Sequence, residues 1–279
     1  MAVNYAEKYS PIVDEIFTFE SFTNALVNQN YDWLGVETVK VYSIPTVEMN
    51  DYTVTGSNRY GTPTELENEV QEMTLTKDRS FTFTIDRKSY DDTLMTMEAG
   101  KRLQRQIIER VIPEIDAYRI AALVAGAKSG NVKTGPALSA SNAYETFLAV
   151  QEKLDDAKVP TVGRICVCRP SFHNKLKLDD SFTKVGDMGT KIAIKGIVGE
   201  VDGVPVIKVP SSYFPTGVDF IITHPVAMTA PIKLVDYRIH VDPPGISGWL
   251  AEGRVRYDAF VLKNKADAIG GYKVVEGGN

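Results

Sequence analysis

The chain is poor in the residues that carry chemistry. It has three histidines and two cysteines, and neither type is grouped as a catalytic or metal-binding set requires. Cys166 and Cys168 stand two apart, with His173 a little further on. Positions two apart on a strand share a face, so both thiols can point at one ion. Structural zinc takes four ligands, however, and no second pair follows. Free cysteine is among the most buried residue types, so both are expected in a core. They are too close in sequence to staple a fold, and a reducing cytoplasm is the expected place of synthesis. His224 precedes Pro225 and His240 lies between Ile239 and Val241, outside any nucleophile elbow or zinc-protease motif. All three imidazoles are expected to be structural.

Other absences narrow the field further. The segment GDMGTK at 186–191 lacks the glycine spacing and the Lys-Ser/Thr ending of a P-loop, and GIVGEVDG at 196–203 lacks the dinucleotide spacing. Both are expected to be turns. The aspartate pairs 91–92, 155–156 and 179–180 fall at element boundaries, where aspartate caps helices and starts turns. Net charge is −5 and the lysines and arginines are scattered, so no basic stripe suits tight nucleic-acid binding. No stretch nears the roughly 18 consecutive apolar residues of a membrane span. The first residues have no basic start followed by an apolar block, so no signal peptide is expected.

What is present is an ordinary globular composition, 43% hydrophobic and 24% charged over 279 residues, enough for one large domain or two of common size. Residues 12–27 hold short amphipathic patterns at Ile12, Ile16 and Phe19 or Phe22, Leu26 and Val27. They suit an arm lying on a neighbour or a helix packed on its own domain. Residues 36–54 read as extended, with Pro45 pointing to an edge. Residues 55–69 are rich in Gly, Pro, Asn and Thr and read as a tip. Met73, Leu75, Phe81, Phe83 and Ile85 then share one parity. A single strand over 70–86 would reach roughly 55 Å.

At Asp91-Asp92 the rhythm changes to a helix. Leu103, Ile107, Val111, Ile115 and Tyr118 form its stripe, widened by Ile108, Ile112, Ile120 and Leu123. Arg105 with Glu109 and Arg110 with Glu114 are expected as solvated pairs. Continuous from 92 to 127 it would be roughly 54 Å long, with a kink or break at Pro113. Residues 140–158 form a second helix, GRICVCRP a buried strand and SFHNKLK a helical turn. GIVGEVDGVPVIKVP is a strand pair with a Gly-Val-Pro junction, and the remainder is strand-rich.

This order of parts resembles the major capsid proteins of tailed bacteriophages, of the Hong Kong 97-like fold. GRICVCRPSFHNKLK looks like that family's strand, proline and helix. GIVGEVDGVPVIKVP looks like its Gly-x-Pro-Val strand, and AEGRVRYDAFVLKNKADAI like its closing stretch. The resemblance implies an α+β fold: an N-terminal arm over 1–35, an extended β-hairpin loop over 36–90 and a spine helix over 91–135. A mixed α/β axial domain over 136–248 and return strands over 249–279 would complete it. It also implies a structural protein without catalytic residues, cofactor or metal. Copies would form pentamers and hexamers that close into the icosahedral shell of a virion, assembled in the bacterial cytoplasm. A scaffolding protein, a portal and packaged double-stranded DNA, held without sequence-specific contact, would be its partners, and no membrane. Asn58, Arg59 and Tyr60 at the tip and Phe81, Phe83 and Ile85 at the base are the expected contacts between copies, the alternative being a merely solvated tip. An encapsulin-like compartment shell is the alternative on the same fold. A metal-dependent hydrolase using Cys166, Cys168 and His173 is the alternative from another class.

Overall fold

The computed structural model describes residues 3–4, 21–28, 31, 38–43, 47, 49–63, 65, 69–87, 99–179 and 197–275. The patterns expected at 12–19, the helix start at Asp91-Asp92 and the loop GDMGTK lie outside the described residues. The chain divides into a body, Met1–Asp32 with Thr76–Asn279, and a hairpin unit, Trp33–Leu75. Strands run β1 (Val3–Asn4), β2 (Thr38–Ser43), β3 (Glu69–Thr74), β4 (Lys77–Asp86), β5 (Val132–Gly135), β6 (Ile165–Cys168) and β7 (Ile197–Val201). They continue as β8 (Val204–Lys208), β9 (Val218–Thr223), β10 (Met228–Thr229), β11 (Ile232–Val241), β12 (Gly248–Tyr257), β13 (Phe260–Val261) and β14 (Ile269–Val274).

In the body, one antiparallel sheet has the order β1-β11-β12-β4. The alternation of β4 decides its faces: Phe81, Phe83 and Ile85 turn inward while Ser80, Thr82 and Thr84 are exposed. Phe81 and Phe83 join Tyr237, Ala251, Val255 and Tyr257 against Leu103, Ile107, Ile112 and Ile115 of the long helix. Gly253 pairs with Phe81 across the sheet. A Cβ there would lie 2.2 Å from the Phe81 ring, so the ring occupies the space that any larger residue at 253 would need.

The long helix runs Ala99–Gln106, then a π-helical turn Ile107–Val111, then Ile112–Gly126, in all about 42 Å. Pro113 does not break it. Proline lacks an N–H and its ring crowds the carbonyl four residues back. A wide turn immediately before it gives that ring room, and the Ile112 N–H donates to the Ile107 carbonyl instead. The extra residue shifts the buried stripe by one: Leu103 and Ile107 are followed by Ile112, Ile115, Ile120 and Leu123. Val111 and Tyr118, expected on the stripe, are only half-buried. Arg105 pairs with Glu109 at 2.7 Å as expected, but Glu114 takes Arg79 at 2.8 Å from β4.

The second sheet has the order β5-β14-β9-β6-β8-β7. Strands β6 and β9 are buried along their whole length, because both faces are covered and alternation is not needed. The helices Ala143–Asp156 and Pro170–Lys177 supply Phe147 and Phe172. These rings sit 5.9 and 4.4 Å from that of Phe220 on β9. Strands β7 and β8 turn at Asp202-Gly203, with φ of 49° and 74°, the two left-handed residues of a type I′ hairpin.

Three strands fall elsewhere than the sequence suggests. Strand β4 pairs with β12 rather than prolonging the hairpin. Strand β11, expected in the axial portion, belongs with β12, while β14, expected beside the return strands, lies between β5 and β9. For β4 and β14 the pairing partners are distant in sequence, and the local apolar pattern suits either sheet.

Candidate assembly surfaces

The hairpin unit pairs β2 with β3 antiparallel, from Thr38↔Thr74 to Ser43↔Glu69. The Thr38 and Thr74 hydroxyls bond at 2.9 Å. Six residues a side reach about 20 Å, well short of the span expected from one unbroken strand. A two-stranded ribbon has little core of its own. Among the described residues its surface carries Tyr42, Val47, Met49, Tyr52, Val54, Tyr60 and Val70 exposed, whereas the much larger body exposes only Val162, Leu178, Val241 and Val275 of this class.

At the tip the chain is organised. Thr53 N–H donates to the Arg59 carbonyl at 3.1 Å and Gly61 N–H to that of Asn58 at 2.9 Å. Arg59 Nε donates to the Gly56 carbonyl at 3.2 Å. Asn58 takes φ 62°, which asparagine tolerates. Tyr52 and Tyr60 meet edge to face at 5.1 Å, yet Tyr60 is 84% exposed and Met49 99%. Asn58, Arg59 and Tyr60 thus share one presented surface. Phe81, Phe83 and Ile85 do not join it; they are turned into the body's own sheet and helix.

Two buried polar knots fix the body, and sequence reasoning found neither. In the first, Asp116 on the long helix gathers the N-terminal segment. Ser21 Oγ and Thr23 Oγ1 each donate to its Oδ1 at 2.6 Å, and the Phe22 N–H donates to Oδ2 at 3.0 Å. Arg119, one turn on, donates through Nη1 to Thr23 Oγ1 at 3.2 Å and through Nη2 to the Ala230 carbonyl at 2.9 Å. Asp116 is fully buried and Arg119 nearly so. Burial pulls the Arg119 pKa down to about 10, so it stays a cation at neutral pH. The available signal was two opposite charges three apart inside an otherwise apolar stripe.

The second knot is Asp258, 5% exposed, just after β12. Its Oδ2 accepts from the Thr76 N–H and hydroxyl, both at 2.8 Å. Its Oδ1 accepts from Tyr118 and from the Ala259 N–H, again at 2.8 Å each. Burial, with the bond to Asp258 adding to it, raises the Tyr118 phenol to about 12. Tyr118 therefore remains a donor. Lys77 lies over its ring at 5.3 Å, and Tyr257 meets it edge to face at 5.5 Å.

The outward face of the first sheet is a lattice of both signs. Asp78 takes Arg254 in a forked pair, Asp236 pairs with Arg238 at 2.7 Å, and His240 meets Glu252 at 3.2 Å. The hydrogen bond from Arg254 is the largest influence holding the Asp78 carboxyl below its usual range. Charges matched in this way offer no unpaired cationic stripe to phosphate.

The cysteines and two of the histidines are built into the body. Cys166 and Cys168 are buried free thiols, and burial raises both, Cys168 to about 12. His173 is buried, which lowers its pKa, and His224 Nδ1 accepts from the Val226 N–H at 3.2 Å to cap a short turn. Among the described residues no group of three or more His, Cys, Asp or Glu is placed to hold a metal. A thiolate is the reactive species, so the native chain is expected to leave a thiol-reactive dye uncoloured over an hour and to release two equivalents once unfolded. Rapid native reaction would contradict the buried placement.

No family model matches the sequence, and no curated protein is similar to it. Solved structures are. A chain of Mycobacterium phage Che8 superposes with TM-score 0.65 at 15% identity, covering 91% of this chain and 90% of that one. The capsid of Ralstonia phage GP4 gives 0.63 at 12%, covering 94% and 92%. A virus-like particle from Pyrococcus furiosus gives 0.56 at 13%, covering 96% and 99%. The fold is that of phage capsid proteins, the Hong Kong 97-like fold, over nearly the whole chain.

Proposed function

We propose that this chain is the major capsid protein of a tailed phage, a structural protein whose copies close through pentamers and hexamers into an icosahedral head. The observation that carries the reading is the hairpin unit, a thin ribbon presenting most of the exposed large apolar side chains among the described residues. Such a ribbon gains its missing burial from another copy, with Asn58, Arg59 and Tyr60 at the contact. The likeness to phage capsids over most of each chain supports the same conclusion. A scaffolding protein, a portal and double-stranded DNA held without sequence readout are the partners this role implies. Assembly in the host cytoplasm follows from it.

Electron microscopy of the purified chain, expressed alone and with neighbouring phage genes, is the test. Closed angular particles built of five- and six-fold rings are expected. Uniform small monomers at every concentration would overturn the proposal. A compartment shell around a cargo protein is the second reading on the same fold, which the virus-like particle from Pyrococcus furiosus resembles. Particles isolated from the native source that contain an enzyme rather than DNA would select it.

A further inference from the structure

Asp258 is a buried carboxylate that spends its acceptor capacity on an unusual set of donors. Thr76 is the first residue of the body after the hairpin unit ends at Leu75. Both its N–H and its hydroxyl end on Oδ2. Oδ1 binds Tyr118, from the middle of the long helix, and the Ala259 N–H at the corner after β12. The Asp258 N–H donates in turn to the Pro231 carbonyl, ahead of β11, at 3.3 Å. One residue therefore ties Thr76, the long helix, the corner after β12 and the start of β11 together, at the first residue of the body after the hairpin unit. The bonds are charge-assisted and partly buried, which makes them stiffer than fully exposed ones. A carboxylate is also the only side chain of this size with two acceptor-only oxygens. An amide in its place would turn an N–H₂ toward two of the four donors.

We propose that Asp258 is a positioning residue for assembly: it pins Thr76 and so limits the directions in which the hairpin unit can leave the body to reach another copy. This rests on the shell-forming function proposed above. A ribbon with a loose root meets its neighbour over a spread of angles, and shells built on such contacts lose uniform curvature. The pin acts on geometry, not on the ribbon's own contact surface.

The test uses the full chain with two mild substitutions, Thr76→Val and Tyr118→Phe, which remove a hydroxyl each and leave Asp258 in place. Hydrogen exchange at residues 75–78 of the unassembled chain is expected to quicken about tenfold, with exchange in the second sheet unchanged. Particles should form but spread in diameter or stay open. Phe147→Leu, chosen in the second sheet to destabilise the body by a similar amount, is expected to give particles of native size. Native-sized, uniform particles from the double variant would overturn the pin, as would equal polymorphism from Phe147→Leu, which would trace the defect to stability alone. If the unsubstituted chain forms no particles, the shell-forming function falls and the pin falls with it. Asp258→Asn serves as the stronger form, expected to widen the diameter spread further.

Discussion

Asp116→Ala is expected to be the most destabilising single substitution in the body. It leaves the Ser21 and Thr23 hydroxyls and the Phe22 N–H without their acceptor, and it takes from the buried Arg119 guanidinium the negative charge beside it. Removing one member of a buried charged network costs about 3–5 kcal/mol, because the survivor stays desolvated and uncompensated. Set against a typical total of roughly 5–15 kcal/mol, that is a large share. The physical account makes a second, less obvious forecast. Adding Arg119→Met to Asp116→Ala should restore part of the loss, since the stranded charge is gone and the stripe becomes apolar throughout. Urea unfolding of the unassembled chain, read as the shift in midpoint at constant slope, measures both. A single variant as stable as the native chain, or a double variant worse than the single by Arg119's full share, would refute the explanation.

How far these features could be read in advance depends on the range of the forces involved. Element types followed from local periodicity, so the hairpin, the long helix, the Ala143–Asp156 helix and the buried ICVC strand were legible. The break between β3 and β4 was not. Two residues, Leu75 and Thr76, separate the strands, and a two-residue gap preserves parity. Met73 and Phe81 therefore keep the same rhythm although they lie in different sheets. The π-turn was half legible: Pro113 announced trouble, but nothing local states that the helix widens rather than breaks. The knots were out of reach for a simpler reason. Asp116 and Asp258 look like solvated acids until the fold brings up Ser21, Thr23, Thr76 and Tyr118, the nearest of which is more than ninety positions away. The tip was legible as a tip from its glycines and asparagine. Its apolar load was not, because exposure belongs to the folded chain.

That load sets the last and largest expected effect. In the proposed shell, Met49 and Tyr60 go from almost full exposure to burial against another copy. The transfer stabilises each subunit's contact by about 3–5 kcal/mol for the two side chains together. Met49→Ser with Tyr60→Ser removes it. Both side chains lie almost fully exposed, and the ring contact of Tyr60 is with Tyr52 in the same unit, so the subunit's unfolding midpoint should barely move. Assembly is another matter. Every 1.4 kcal/mol per subunit is a factor of about ten in the concentration at which copies associate, so the threshold for particles should rise by on the order of 10²–10⁴. Light scattering and sedimentation across a dilution series give that threshold directly. A hairpin surface that is merely solvated predicts an unchanged threshold, and this separates the two because solubility and shell formation then move in opposite directions. A more polar ribbon keeps the free subunit soluble at higher concentration, and in the proposed shell it does so because the copies no longer capture one another.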